Sequence, residues 1–199
     1  MTPEQLNLKY VLVDRKKDFE VIDFCEKNAL SIQNLDEDKD ESSYITKRNL
    51  LSDYGYSLAK SGQNEKATFI LTEALRLHER QSRFRDDKNG YQPLLFLLGE
   101  AQYNANRIEE AKQTFQKLIE IAPDNASYKS WVVGTTNYQR RKISKVAFTS
   151  FVIWLLISVL LGNNMTDWFR LTFDVIGLLL FVTWAIVDLK SYFVKRKYR

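Results

Sequence analysis

The sequence predicts an all-α chain, a short helical-repeat domain followed by a C-terminal two-helix transmembrane hairpin. Three observations carry this. The last third of the chain holds two long apolar runs. Basic residues flank that pair of runs on both outer sides. The middle of the chain holds two similar stretches whose apolar residues recur at helical spacing.

In chain order, residues 1–47 form an N-terminal helical and acidic-loop segment. "LNLKYVLV" is compatible with a helix or a short strand. "RKKDFEVIDFCEKNALSI" places Phe19, Val21, Ile22, Phe24 and Cys25 as an amphipathic helix would. "DEDKDESS" follows as an acidic, solvated loop; its alternating acids lack the glycine and distal glutamate of a calcium loop. Cys25 is the only cysteine, so no internal disulfide and no cysteine metal cluster is expected. His78, the only histidine, is expected on a helix surface. It leaves no Ser–His–Asp or zinc arrangement to build.

Residues 48–125 carry the two similar stretches. The clearer one is "LLFLLGEAQYNANRIEEAKQTFQKLIEIAPDN". It predicts a helix from about Tyr91 to Asn104, a turn at "NANR", and a second helix from Ile108 to about Ala122. Ile108, Ala111, Phe115, Leu118 and Ile119 share one face of the second helix, and Pro123 stops it. Upstream, "LLSDYGYSLAKSGQNEKATFILTEALRLHE" puts Gly55, Ala67, Leu71 and Ala74 at the relative positions of Gly99, Ala111, Phe115 and Leu118. The turn there is "KSGQNE", with Asn64 expected as the helix N-cap. These residues resemble the tetratricopeptide repeat, a helix–turn–helix of about 34 residues. The resemblance covers residues 48–81 and 92–125. The two glycines are 44 residues apart, ten more than the family period. The extra residues fall in "RQSRFRDDKNGY", expected as a lengthened helix and a loop at "DDKNG".

The resemblance implies that a small residue at Gly99 lets the paired helices cross closely, and that Phe115 fills the gap between adjacent repeats. It also implies a concave protein-binding groove lined by the first helix of each repeat. Asn49, Ser52, Tyr56 and Lys60 from one copy, and Phe96, Glu100, Tyr103 and Asn104 from the other, would face it. Some family members clamp a partner's C-terminal carboxylate there with Lys and Asn. Ser52, Tyr56 and Phe96 stand where that clamp needs polar or basic groups, so an apolar or aromatic anchor on the partner fits better. The competing reading is that some of these aromatics belong to the core.

Residues 126–145 are expected as a capping helix and basic juxtamembrane segment, able to run unbroken into the first span. Residues 146–189 form the hairpin: no charge lies between Val146 and Gly162, and the core "LTFDVIGLLLFVTWAIV" carries only Asp174. Each run has about 17 residues, ~25 Å of helix, slightly short of the ~30 Å hydrocarbon core, a difference covered by flanking residues or local thinning. Asp174 lies four residues after Arg170. Either the two form an interfacial pair, or Asp174 faces a helix–helix contact or a pore. Residues 190–199 are a basic tail. Because Arg140, Arg141, Lys142 and Lys145 precede the first span and Lys190, Lys195, Arg196, Lys197 and Arg199 follow the second, both termini are expected in the cytoplasm. The first residues show no continuous apolar stretch of a signal peptide.

Charge sorts the partner classes. Residues 1–138 hold 19 Lys/Arg and 22 Asp/Glu, and residues 139–199 hold 10 and 3. The positive excess therefore sits at the membrane flanks, where it favours anionic lipid; the soluble part does not favour nucleic acid. No phosphate loop, metal-ligand spacing or nucleophile–base pair stands out, so no enzyme activity and no cofactor are expected. The expected role is a membrane-anchored scaffold that recruits an unidentified protein partner to the cytoplasmic face. The alternative is a small effector whose hairpins associate into a homo-oligomeric pore, with Asp174, Trp154, Ser150 and Ser158 lining it.

Overall fold

The structure is a computed structural model and describes residues 2–80, 88–161 and 167–198. Every regular element among them is a helix. They are α1 (Pro3–Tyr10), α2 (Asp18–Lys27), α3 (Ala29–Gln33), α4 (Glu41–Lys60), α5 (Asn64–Arg80), α6 (Lys88–Asn104), α7 (Ile108–Ile121), α8 (Ala126–Leu161) and α9 (Asp167–Lys197). The chain divides into two compact units, residues 1–124 and 125–199.

In the first unit α4 packs on α5, α5 on α6 and α6 on α7, so two helical pairs stack side by side. The pairs share one construction, repeated at the 44-residue offset. In each turn the second residue past the helix end has a positive φ: 78° at Gly62 and 62° at Asn106. The next N–H reaches back five residues, Gln63 to the Leu58 carbonyl at 2.9 Å and Arg107 to the Gln102 carbonyl at 2.8 Å. This left-handed cap satisfies carbonyls that the helix end would leave open. Asn64 is the first residue of α5 and its side chain caps nothing; instead it bonds back to the Gly62 carbonyl.

The helix crossings repeat as well. A Cβ on Gly55 would come within 2.6 Å of the Leu71 side chain, and one on Gly99 within 2.8 Å of the Phe115 ring. Leu71 and Phe115 are both fully buried. Each glycine is thus the socket for a large side chain sixteen residues later in its own pair. Phe115 fills this crossing inside the repeat, edge-on to Phe96 at 5.8 Å between ring centres.

Residues 1–47 contribute more than a leader to the stack. Thr2 and Gln5 form a reciprocal capping box that starts α1, which settles "LNLKYVLV" as a helix followed by a turn. α1 and α2 lie on α4. Asn7 donates to Thr46 Oγ1 at 2.8 Å, the Tyr10 hydroxyl to Asp53 at 2.7 Å, and the Tyr54 hydroxyl to Glu26 at 3.3 Å. Leu6, Tyr10, Val21 and Cys25 are buried. The end of the acidic stretch is helical: Asp40 caps α4 by accepting from the Ser43 N–H at 2.7 Å, and Glu41 to Ser43 lie in the first turn. The rest of that stretch is tied down from Lys47, whose ammonium donates to the Gln33 and Leu35 carbonyls and to Glu37 at 2.7 Å.

His78 is buried, with Tyr44 O–H at 3.4 Å from Nδ1 and the Tyr91 ring stacked at 5.4 Å. The expectation of a surface histidine was wrong: α6 covers this side of α5, because α6 starts three residues before Tyr91. The same early start makes Lys88 to Gly90 helical rather than loop; the remainder of the expected loop and lengthened helix lies outside the described residues.

In the second unit α8 and α9 form an antiparallel pair. Asn125 caps α8, its side-chain oxygen accepting from the N–H groups of Ser127 at 3.0 Å and Tyr128 at 3.2 Å. α8 then continues for 36 residues without a break. Its seam with α9 is aromatic: Phe148 meets Trp184 at 5.7 Å, Phe151 meets Phe181 at 5.5 Å, and Trp154 meets Phe173 at 5.6 Å. The Trp154 indole N–H donates to the Phe173 carbonyl at 2.9 Å, and the ring lies where a Cβ on Gly177 would stand. Nearer the basic ends, Asn137 donates to the Ser191 carbonyl at 3.5 Å and Arg140 to the Lys190 carbonyl at 3.5 Å. Two stretches here are long and apolar enough to cross a membrane, Arg140–Leu160 and Leu171–Lys197; only 6% of the most apolar window in each is buried.

Candidate partner-binding groove and membrane hairpin

The groove residues of α4 recur every three or four positions, so they share one face. Asn49 is exposed and accepts from the neighbouring Arg48 guanidinium at 3.1 Å. Ser52 is half-buried and its hydroxyl returns to the Arg48 carbonyl at 2.7 Å. Tyr56 keeps 39% of its surface exposed. Lys60 places its ammonium 5.0 Å from the centre of the Tyr56 ring and 3.9 Å from Asp18. This cation over an aromatic face holds the ring at the surface.

On α6, Phe96, Glu100 and Tyr103 are half-buried and Asn104 is exposed. Phe96 is partly a core residue, since its ring rests on Phe115. Glu100 forms no ion pair among the described residues, and desolvation holds its carboxyl above the usual range. The face of α6 therefore offers an uncompensated, partly desolvated acid between two aromatic rings at i−4 and i+3.

α4 and α6 touch directly. The sequence did not reveal how α1 and α2 border α4. Asp53, next to Ser52, is held by Tyr10 and by Arg15 at 3.8 Å, and Arg15 lies over the Tyr10 ring at 4.6 Å. Asp18 at the start of α2 engages Lys60. The spacing of Asn7 and Tyr10 on one side of α1 was the available signal, and it becomes legible only once α1 is known to be a helix.

In the hairpin, Asp174 is exposed on α9, one residue past the seam position Phe173. Arg170, its expected partner, lies outside the residues whose side chains are described. Trp154 is committed to the seam with Phe173 and Gly177, so it does not line a pore in this arrangement. No acidic side chain pairs with Arg141, Lys142, Lys145, Lys190, Lys195 or Arg196 among the described residues. The bond from Arg140 to Lys190 sets the two basic stretches at one level of the pair.

Comparison with known proteins agrees with the repeat construction. No curated protein and no solved structure matches the chain. A family model for the tetratricopeptide repeat matches residues 58–131, from the end of α4 through α5, α6 and α7 into the start of α8, which supports a protein-interaction scaffold as the role of this segment.

Proposed function

We propose that this protein is a membrane-anchored scaffold. The α8–α9 pair inserts as a two-span hairpin, and the stacked repeats recruit a protein partner on the cytoplasmic side. The observation that supports this most is the uncovered apolar surface of the hairpin, only 6% buried in its most apolar windows. It begins on the same helix that follows the interaction repeats. A core helix of a soluble domain would be covered; this surface needs ~30 Å of hydrocarbon to cover it.

The partner docks on the α4 and α6 face. Tyr56, Phe96 and Tyr103 receive an apolar or aromatic anchor, with Asn49, Ser52, Lys60 and Asn104 at the polar edge. Glu100 receives a cationic side chain, which favours the ionised carboxylate at a site where desolvation opposes it. The basic collar at Arg140 to Lys145 and Lys190 to Lys197 binds anionic headgroups, each cation adding about 1 kcal/mol near such a surface. With both basic ends inside, both termini are cytoplasmic.

The test is affinity capture of partners from detergent-solubilised membranes by the full chain and by Tyr56→Ala, Glu100→Gln and Asp174→Leu variants, with liposome leakage measured in parallel. The scaffold reading expects the first two variants to lose at least ~10-fold in capture, equivalent to ~1.4 kcal/mol, and Asp174→Leu to change nothing. If Asp174→Leu alone abolishes a leakage that wild type shows, the pore-forming effector takes its place.

A further inference from the structure

α1 is apolar on two opposite sides, and the first unit covers only one of them. Leu6 and Tyr10 are buried, and Asn7 and Tyr10 bond to α4. Leu8, Val11 and Leu12 are turned the other way, 73%, 72% and 84% exposed. Val11 ends the helix in a right-handed conformation, and the Leu12 and Val13 N–H groups bond back to the Lys9 and Tyr10 carbonyls at 3.2 and 3.0 Å. The three side chains therefore share one stripe, at i, i+3 and i+4. The Asp14 N–H donates to the Glu20 carboxylate at 3.2 Å, which fastens the next turn to the start of α2. Phe19, in that first turn of α2, is 67% exposed, so a further apolar side chain protrudes at the same end of the unit. A surface helix normally turns a polar face outward, and an outward apolar cluster marks an interaction surface.

Shape and charge together favour a lipid surface as its occupant. A stable protein interface engages about 20–30 residues a side; this tip offers four protruding side chains on a short helix and a turn. The headgroup–acyl boundary of a bilayer has no fixed shape to match and takes an apolar face ~5–10 Å deep. The acids around the turn are committed within the fold. Asp14 pairs with Lys17 at 3.7 Å and accepts from the Lys16 N–H at 3.1 Å, Glu20 pairs with Lys17 at 2.9 Å, and Asp18 with Lys60 at 3.9 Å. Lys9 and Lys16 are exposed and in no ion pair among the described residues. Glu4 is exposed too, in the first turn of α1, at the end away from Lys16.

We infer that the Leu8, Val11 and Leu12 stripe, joined by Phe19, inserts into the surface of the membrane that holds the hairpin, with Lys9 and Lys16 at the level of anionic headgroups. The inference rests on the two-span reading, because the hairpin keeps the first unit beside that surface. A contact of four side chains is weak for a free protein, and the tether turns it into an intramolecular event at high effective concentration. The repeat unit is then held twice, through the bilayer by α8 and α9 and on its surface by α1 and α2.

The experiment reconstitutes the full chain in phosphatidylcholine vesicles with and without phosphatidylserine, and reads an NBD label on Leu12→Cys. Cys25 is buried, so wild type serves as the labelling blank. Phe69→Cys is the control, since Phe69 is 73% exposed on α5 but has no apolar residue at i±3 or i±4 beyond the methyl of Thr72. Lipid carrying a doxyl group near the headgroup should quench the Leu12 label at least ~2-fold, more with phosphatidylserine, and leave the Phe69 label bright. Leu8→Ser with Val11→Ser, both at exposed positions, should abolish the quenching. Lys9→Glu with Lys16→Glu should remove the gain from phosphatidylserine. The inference is overturned if the Leu12 label is quenched no more than the Phe69 label, or if either double variant behaves as wild type. It is also overturned if the label is shielded from water without lipid quenching and in proportion to the chain per vesicle, which would make a second copy the occupant. Carbonate washing of the same vesicles separates the two readings. A chain extracted after its label was quenched contradicts the hairpin and leaves this contact standing; a chain that resists extraction with its label unquenched does the reverse.

Discussion

Replacing Gly99 with alanine tests the helix crossing on which the repeat stack depends. The added Cβ would stand 2.8 Å from two atoms of the Phe115 ring and 3.2 Å from a third. Carbon atoms rest at ~3.5–4.0 Å, so the ring has to withdraw by roughly 0.7–1.2 Å. Phe115 is fully buried and edge-packed on Phe96, so it has little room to do so. Overpacking of this kind costs ~1–3 kcal/mol. Alanine returns ~0.8–1 kcal/mol of helix propensity. The net expectation is a loss of about 1 kcal/mol, or ~4 °C in melting temperature for a unit of this size. Hydrogen exchange of peptides from α6 and α7, in the full chain in detergent, reads this directly as faster opening. Adding Phe115→Leu should make the double variant less destabilised than the two singles sum to, with a coupling of at least ~0.5 kcal/mol. Gly134→Ala is the control: nothing lies within 4 Å of its added Cβ, so it should gain stability by ~0.8 kcal/mol. Slower exchange in Gly99→Ala, or strict additivity with Phe115→Leu, would refute the interlock.

Other outcomes follow from the same packing. Cys25 is 1% exposed, and burial, followed by the charges of Asp53 and Glu26, pushes its thiol up to about 12; maleimide at pH 7.5 should label it only at the rate at which α2 leaves α4, and at once in urea. Burial raises the Glu37 carboxyl, but the Lys47 ammonium, a local backbone bond and Arg80 together outweigh it, so the folded value lies below the ordinary one. A depressed carboxylate contributes stability above its unfolded value, ~4.3, and that contribution is lost as pH falls through the folded value; Glu37→Gln should lower the urea midpoint at pH 7 and flatten its decline below about pH 4.3. Gly177→Leu should separate α9 from Trp154 and appear as a red-shifted, quenchable indole emission together with lost thermal resistance in micelles. In the groove, Tyr56→Ala should weaken partner capture by at least ~10-fold without moving the melting curve by more than about 2 °C, because Tyr56 is 39% exposed.

The repeats were legible in the sequence because their signals are local. Gly55, Ala67 and Leu71 stand to one another as Gly99, Ala111 and Phe115 do, and the structure sets Gly55 against Leu71 as it sets Gly99 against Phe115. The two apolar C-terminal helices were legible for a similar reason, since each uncharged run is itself long enough to form one. What could not be read depends on contacts distant in sequence. His78 looked exposed because nothing in "LRLHER" shows that Tyr91 and Tyr44 close over it. The role of residues 1–47 was hidden because Tyr10 meets Asp53 across 43 positions. Phe115 was assigned to the gap between repeats, whereas its partner is the glycine of its own pair. The shared helix faces of the residues proposed for the groove follow from helical periodicity alone, but the satisfied state of Ser52 and the absence of an ion pair at Glu100 among the described residues required side-chain positions.

The central claim, a repeat unit displayed on the cytoplasmic side by a two-span hairpin, is tested most directly by protease treatment of sealed, cytoplasmic-side-out vesicles after alkaline carbonate washing. The account predicts that the chain stays with the membrane through the wash. Protease should then remove residues 1–124 and leave a protected fragment containing residues 146–189. Release of the chain by carbonate, or survival of the first unit until protease reaches the opposite face, would contradict it.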